Sequence, residues 1–102
     1  MHPSQFSPEA WDDMRAIVAY IATDNPAAAA RFVPALEETY AQLEALPGMG
    51  SVRQFRRKDL KGVRMVPVTG FENYLMFYSA PGKHVKVLRI LHAARDFPMI
   101  FN

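Results

Sequence analysis

The sequence predicts an α+β domain in which an antiparallel pair of helices packs on a small, mainly antiparallel sheet of three to four strands. Two observations predict this class. In residues 1–50 the apolar side chains recur at helical spacing, whereas after Gly50 they form short runs rich in β-branched and aromatic residues. A chain of 102 residues, half of them hydrophobic, has room for one core but not two. We therefore expect a single domain over residues 1–102.

The first helix is predicted to begin at Pro8 and to stop near Thr23. Ser7 precedes it as an N-cap, and proline at the first helical position loses no hydrogen bond. Residues three and four apart form its apolar stripe: Trp11, Met14, Val18 and Ile21. A short strand at residues 4–6, just before this helix, is expected to join the sheet.

The second helix repeats the same start signal at Asn25 and Pro26 and is expected to run to about Leu46. The two-residue link between the helices makes them antiparallel neighbours. Pro34 lies inside the second helix, where a proline removes one hydrogen bond and costs roughly 3 kcal/mol. We therefore expect a kink or a broken first turn at Pro34.

Three strand-like runs follow a basic connection, and they cover residues 63–68, 74–79 and 84–91. Pro67 in the first run favours an edge position or a strand end. The second run is apolar on both faces, as in a central strand. Proline followed by glycine in residues 80–83 favours a type II turn, so the last two strands are expected to pair antiparallel.

The net charge of +2 hides an uneven distribution along the chain. Residues 1–50 carry seven acidic and two basic side chains, whereas residues 51–102 carry three acidic and ten basic ones. Six of the cations fall within twelve residues: Arg53, Arg56, Arg57, Lys58, Lys61 and Arg64. Such a cluster is either an ordinary solvated loop or a surface that attracts nucleic acid or an acidic protein.

The composition also excludes several kinds of chemistry. The chain has no cysteine, so disulfides, thiolate metal sites and cysteine nucleophiles are excluded. No apolar run approaches the roughly 20 residues that span a bilayer, and the first residues lack the pattern of a secretory signal. We expect a cytoplasmic protein without membrane contact, and nothing in the sequence indicates a metal or cofactor.

The ordered combination of a "SPEA" helix start, an acidic helical half, a basic connection and the block ending "VLRILHAARD" resembles the ParE branch of the RelE/ParE superfamily. These proteins are the toxins of bacterial type II toxin–antitoxin modules. The resemblance covers nearly the whole chain and implies a toxin that a cognate ParD-like antitoxin neutralises, with the two forming a hetero-oligomer. It further implies that the toxin inhibits DNA gyrase by protein binding, stalling it with DNA cleaved, and hydrolyses nothing itself.

For a toxin that meets a DNA-bound enzyme, we expect target contacts from the basic connection and from the end of the last strand. These residues are Arg53, Arg56, Arg57, Lys58, Lys61, Arg89 and Arg95. The family's antitoxins lay an apolar segment along the toxin, and the apolar surface expected to receive it contains Trp11, Met14, Phe32 and Tyr40.

RelE-like toxins share the fold but cut messenger RNA on the ribosome, and this alternative stays open. A catalytic set would then contain His92, Arg64, Arg89 and Arg95, with Tyr78 as a second proton-transfer group. Against it, the central strand carries no cation, and strict strand alternation places His92 and Arg89 on opposite faces.

The end of the last strand also has a purely structural interpretation. His92 would bond to a nearby backbone group or to Asp96, and Arg95 would form a local ion pair with Asp96. A non-toxic member of the superfamily that only binds an antitoxin is a third functional alternative, to which Pro34 gives some weight.

Overall fold

The computed structural model describes residues 5–52 and 62–96. Its elements are, in order, α1 (Pro8–Asp24), α2 (Pro26–Ala45), β1 (Ser51–Val52), β2 (Arg64–Val68), β3 (Phe71–Ser79) and β4 (Lys86–His92). The strands form one antiparallel sheet in the order β1-β2-β3-β4, and the two helices pack on it. The predicted α+β class is confirmed. Neither of the two helices in the described residues is long and apolar enough to cross a bilayer.

Both helix starts follow the capping chemistry read from the sequence. The Ser7 side chain accepts a hydrogen bond from the Ala10 N–H at 3.0 Å, and the Asn25 side chain accepts one from the Ala28 N–H at 3.0 Å. The broken turn expected at Pro34 is wrong, because α2 continues through it. Pro34 lies on the exposed side of a helix whose opposite side is buried, and that burial outweighs the local cost of the proline.

Of the N-terminal strand expected at residues 4–6, Ser4 lies outside the described residues, and the described part contacts β4 at Phe6. Phe6 forms one parallel bridge with Val87 in β4, and α1 begins two residues later. Ser7 continues the contact, since its N–H donates to the Val87 carbonyl at 2.8 Å and its Oγ donates to the Leu88 carbonyl at 2.7 Å. After Phe6 the contact passes directly into the helix cap at Ser7.

Strand β1 lies within the stretch that the sequence assigned to a basic connection. It pairs with β2 through Ser51 opposite Met65 and Val52 opposite Arg64. Two residues are too few to show a strand pattern, so sequence periodicity had no means of finding it. Pro67 lies near the end of β2, past the two residues that pair with β1. Its missing N–H therefore costs no hydrogen bond to β1, which agrees with the predicted position at a strand end.

A bulge in β4 changes which side chains face the helices. Phe77 pairs with Arg89 and Tyr78 pairs with Val87, so Leu88 is the extra residue. Val87 therefore faces the helices together with Ile90, whereas strict alternation placed these two on opposite faces. The predicted opposition of Arg89 and His92 survives, because both follow the bulge.

The turn between β3 and β4 has a different type from the predicted type II. The His84 N–H donates to the Pro81 carbonyl at 3.0 Å, and the two central residues both have positive φ, 56° at Gly82 and 68° at Lys83. Positive φ at both positions is the pattern of a type I′ turn, whose twist suits a hairpin. The predicted antiparallel pairing of β3 and β4 is confirmed.

Candidate functional site

The sequence-predicted site residues fall into three groups. Arg53, Arg56, Arg57, Lys58 and Lys61, from the basic connection, lie outside the described residues. Of the remaining cations, Arg64 lies on β2, Arg89 on β4, and Arg95 just beyond the end of β4 near His92. The apolar candidates lie on the helices: Trp11 and Met14 on α1, and Phe32 and Tyr40 on α2.

Arg89 is bound within the fold by a carboxylate of α1. Its Nε donates to Asp13 Oδ2 at 2.7 Å and its Nη2 donates to Asp13 Oδ1 at 3.0 Å, while the Ile90 N–H donates to the same Oδ2 at 3.0 Å. The hydrogen bonds to Asp13 raise the pKa of Arg89 even though partial burial opposes this. Because its charge is balanced here, the structure gives Arg89 a role in joining α1 to β4.

Arg64 holds the chain that leads into β1. Its Nη1 donates to the Gly50 carbonyl at 2.7 Å and to the Gly48 carbonyl at 3.3 Å. The buried Tyr78 hydroxyl works beside it, donating to the Pro47 carbonyl at 2.8 Å and accepting from the Gly50 N–H at 2.9 Å. Tyr78, offered above as a proton-transfer group, therefore has both its donor and an acceptor position occupied by backbone.

The segment from His92 to Asp96 forms a closed turn. The His92 N–H donates to Asp96 Oδ2 at 2.7 Å, and the Asp96 N–H donates to the His92 carbonyl at 3.0 Å. The imidazole Nδ1 accepts from the N–H of Arg95 at 3.0 Å and of Ala94 at 3.2 Å. Since the Nδ1 lone pair faces two donors, the ring proton of the neutral imidazole sits on Nε2. The structural alternative for His92 is confirmed: its imidazole accepts from backbone N–H groups, and its own backbone N–H bonds to Asp96.

Arg95 lies over the ring of Tyr20, a residue of α1 that was not among the predicted site residues. The guanidinium carbon is 4.9 Å from the ring centroid, and Arg95 Nε is 3.7 Å from Asp96 Oδ1, which confirms the predicted ion pair. The Tyr74 ring meets His92 edge-on at 5.1 Å, and Arg95 lies near enough to Tyr74 to influence the pKa of its hydroxyl. Burial raises the pKa of Tyr74, and the nearby Arg95 opposes that rise. We call Tyr20, Tyr74, His92 and Arg95 the Arg95 platform.

The four residues of the nuclease alternative do not form one cluster. Arg64 pairs with Tyr78 and His92 pairs with Tyr74 on the opposite edge of β3. Four residues of strand separate these two positions by about 13 Å along β3, before the width of the sheet is added. Arg89 lies on the other face, so the structure brings only His92 and Arg95 together.

Two of the four residues proposed for antitoxin contact belong to the core. Phe32 is fully buried, and Tyr40 is 5% exposed with its hydroxyl donating to the Val85 carbonyl at 2.8 Å. Their assignment to an exposed groove is wrong because the inner side of α2 packs on the sheet. Trp11 and Met14 are only partly buried and remain at the surface of α1.

Apolar surface also occurs where the sequence did not place it. Among the described residues the exposed large hydrophobic side chains are Tyr20, Leu46, Met49 and Val52. Three of these, Leu46, Met49 and Val52, lie within seven residues between the end of α2 and the end of β1, and within residues 5–52 and 62–96 no strand pairs with the outer side of β1. A cavity of about 320 Å³ lies over the turn from β2 to β3, lined by residues 70–74, and shares Tyr74 with the Arg95 platform. Within residues 5–52 and 62–96, no three His, Asp or Glu side chains are grouped to hold a metal.

Comparison with known proteins agrees with this architecture. In the solved structures, the fold is similar to that in "Chromosomal ParDE TA system from P. aeruginosa", with a TM-score of 0.66 and 22% identity over 85% of this chain and 90% of that one. It is also similar to that in the "YoeB-YefM complex from Staphylococcus aureus", with a TM-score of 0.56 and 16% identity over 86% and 92% of the two chains. At these identities the likeness shows the fold.

A comparison with curated protein sequences finds no match. The family model described as "ParE toxin of type II toxin-antitoxin system, parDE" matches residues 5–97, which covers both helices and every strand of the sheet. The chain therefore belongs to the ParE toxin family of type II toxin–antitoxin systems.

Proposed function

We propose that this protein is a toxin that inhibits DNA gyrase by binding to it, without hydrolysing RNA, and that a cognate ParD-like antitoxin neutralises it. The observation that carries the proposal is the family match over residues 5–97, taken together with the dispersal of the residues that RNA cleavage would need. Action on gyrase also implies that the protein works in the cytoplasm.

The chemistry of RNA cleavage explains why this dispersal matters. Attack by a 2′-hydroxyl requires a base, an acid and cations that all converge on one phosphate. Arg64 lies at the far end of the sheet from His92, and Arg89 is paired with Asp13. The Nδ1 atom of His92, the lone pair available for accepting a proton, already faces two backbone N–H groups. These contacts support binding rather than catalysis as the mode of action.

The antitoxin partner is supported by the neighbours and by the exposed surface. By their titles, one of the two similar structures named above is a ParDE TA system and the other is a complex of two proteins, YoeB and YefM. In this chain, Leu46, Met49 and Val52 expose half or more of their surface beside the side of β1 on which the described residues place no strand. Exposed apolar side chains next to an edge strand are suited to an extended or helical partner segment. This surface, with Trp11 and Met14, replaces the groove that the sequence suggested.

The test is a supercoiling and DNA-cleavage assay with purified gyrase and the full chain, with and without the antitoxin encoded beside it. We expect loss of supercoiling and trapped double-strand cleavage, both relieved by the antitoxin. Topoisomerase I, which relaxes DNA without gyrase, serves as the specificity control and should be unaffected. Growth arrest with ribosome-dependent mRNA cleavage and no effect on gyrase would instead identify an endoribonuclease. Absence of growth arrest would identify a non-toxic antitoxin-binding member.

A further inference from the structure

We infer that Arg95, supported by the ring of Tyr20, is a preformed binding site for a single carboxylate on a partner protein. The inference rests on the proposed function only in taking that carboxylate to belong to the toxin's target. Tyr20 then acts as a positioning residue, since it holds the guanidinium and the carboxylate bonds to Arg95.

The guanidinium is held in place before any partner arrives. One face lies over Tyr20 at 4.9 Å, and its Nε lies 3.7 Å from Asp96. The backbone beneath it is fixed as well, because the Arg95 N–H donates to His92 Nδ1 and Asp96 bonds to His92 at both its side chain and its N–H. A side chain ordered in advance loses less conformational entropy when it binds.

The same contacts leave donors of Arg95 available. A guanidinium has five N–H donors in a planar fork. Contact of the guanidinium face with the Tyr20 ring uses none of these N–H donors, and the 3.7 Å distance from Arg95 Nε to Asp96 Oδ1 is longer than a hydrogen bond. The Tyr74 hydroxyl is a single further neighbour. With 45% of the Arg95 side chain and 57% of Tyr20 exposed, part of the fork faces solvent. A planar fork of this kind binds a carboxylate through two parallel hydrogen bonds.

The surrounding charges favour one carboxylate over the phosphates of a nucleic acid. Binding to a phosphate backbone depends on several cations that release counterions together. Beside Arg95 lies the carboxylate of Asp96, and the Arg89 charge nearby is already neutralised by Asp13 and lies close to Glu9. Counted over these described residues, the charges show no excess of positive charge, and Arg95 offers one directional contact. Exposed tyrosine and arginine are also the residue types that dominate protein–protein hot spots.

The test is an NMR titration of the full, isotope-labelled chain, following the Nε–H signal of Arg95 and the ring signals of Tyr20. The probe is a capped tripeptide with one glutamate, and its matched control carries glutamine instead. We expect saturable shifts at both residues with the glutamate peptide and none with the glutamine peptide. Shifts of equal size with inorganic phosphate, or at the exposed Arg31 of α2, would overturn the inference.

Variants test whether the Tyr20 ring contributes to carboxylate binding by Arg95 or only lies close to it. Arg95→Lys keeps the charge but loses the fork, and should weaken binding of the glutamate peptide roughly tenfold. Tyr20→Leu should weaken it roughly two- to fivefold, whereas Tyr20→Phe, which keeps the ring, should not. Arg31→Lys is the matched control. Because Tyr20 is exposed, thermal unfolding should be unchanged in its variants, and unchanged peptide affinity in Tyr20→Leu would overturn the role of Tyr20.

The gyrase assay distinguishes failure of this inference from failure of the proposed function. If the peptide results hold and gyrase is unaffected by the wild-type chain, the carboxylate site stands and the proposed target is wrong. If gyrase is inhibited, Arg95→Lys and Tyr20→Leu should raise the half-inhibitory concentration by the same factors as in the peptide titration. Inhibition by both variants at the wild-type concentration would overturn the inference and leave gyrase as the target.

Discussion

The two edges of the sheet differ in what covers them within the described residues. At β4 the outer edge is occupied by the start of α1, since Ser7 bonds to the Val87 and Leu88 carbonyls and Asp13 accepts from the Ile90 N–H. At β1 the described residues include no strand or helix on the outer side, and the edge is held only from within, by Arg64 and Tyr78. An unpaired strand edge invites another chain. Within the described residues, α1 therefore covers the β4 edge, and neither helix covers the β1 edge.

The same comparison explains the uneven charge of the sequence. Asp13 comes from the acidic half and Arg89 from the basic half, and they meet at the closed edge. Opposed charge in the two halves of this chain thus serves partly to join them, not only to attract a partner. At the open edge the neighbouring Arg64 uses its charge on backbone carbonyls. Of the three candidate contact cations in the described residues, Arg64, Arg89 and Arg95, only Arg95, whose side chain is 45% exposed, is placed over an aromatic ring.

The largest effect should come from opening the closed edge. Asp13→Ala removes three hydrogen bonds and leaves the Arg89 charge without its partner, so we expect a loss of about 2–3 kcal/mol in the free energy of unfolding. The loss stays below the 3–5 kcal/mol typical of a fully buried broken pair because Arg89 is 37% exposed and partly solvated. Urea denaturation measures it.

The control for Asp13 is its neighbour Asp12, which pairs with Arg15 on the exposed side of α1. Asp12→Ala should change the stability by less than about 0.5 kcal/mol. Equal effects from the two substitutions would mean that Asp13 contributes no more than a surface charge, and that α1 does not close the β4 edge through it.

A smaller effect should come from the open edge. A Cβ added at Gly50 would lie 2.6 Å from the Tyr78 hydroxyl and 3.0 Å from the Met65 carbonyl. Gly50→Ala should therefore displace the entry to β1 and cost about 2 kcal/mol. Gly48→Ala is the matched control, because nothing lies within 4 Å of its added Cβ. Thermal unfolding of both variants checks the prediction, and an undisturbed Gly50→Ala would show that β1 is held loosely.

The smallest effect concerns the bond from α2 to the residue just before β4. Tyr40→Phe removes the hydrogen bond to the Val85 carbonyl and should cost about 1 kcal/mol at neutral pH. Burial, and secondarily Glu44, raises the pKa of Tyr40 in the folded chain. Above pH of about 10 the unfolded chain loses this proton while the folded chain keeps it, so stability falls as pH rises through the folded-state pKa.

Tyr40→Phe should accordingly reduce the loss of stability between neutral and strongly alkaline pH, as measured by urea denaturation at both. Tyr74 is shifted in the same direction and retains its share of that loss in the variant. An alkaline loss identical to that of the wild-type chain would show that Tyr40 titrates as it does in the unfolded chain.

Local chemistry made the helical half predictable. Ser7 with Pro8, and Asn25 with Pro26, mark helix starts because a cap acts within four residues of the chain. No local sequence signal marks β1 or the bulge at Leu88, because β1 is defined by its pairing with β2 and the bulge by the register between β3 and β4. The assignment of Phe32 and Tyr40 to antitoxin contact failed for a related reason, because an apolar stripe does not reveal which of its members the sheet covers.

In the candidate site, Arg95 was predictable from the sequence and its neighbour Tyr20 was not. Arg95 was selected as a charge at the end of a strand, and the sequence placed His92 and Asp96 beside it correctly. Tyr20 is 75 positions away and lies off the apolar stripe of α1. An aromatic residue on the polar side of a helix was the available signal, but only the packing of α1 against the end of β4 gives it a partner.

The bonds from Ser7 to the far end of the chain also constrain the order of folding. The helical hairpin depends on contacts close in sequence and is free to form early. Ser7 and Leu88 are separated by 81 positions, so their bond closes only after nearly the whole chain has left the ribosome. During synthesis the edge that is closed in the finished protein is therefore the last to close. A nascent chain that stops before β4 lacks the contacts that fix α1 to the sheet.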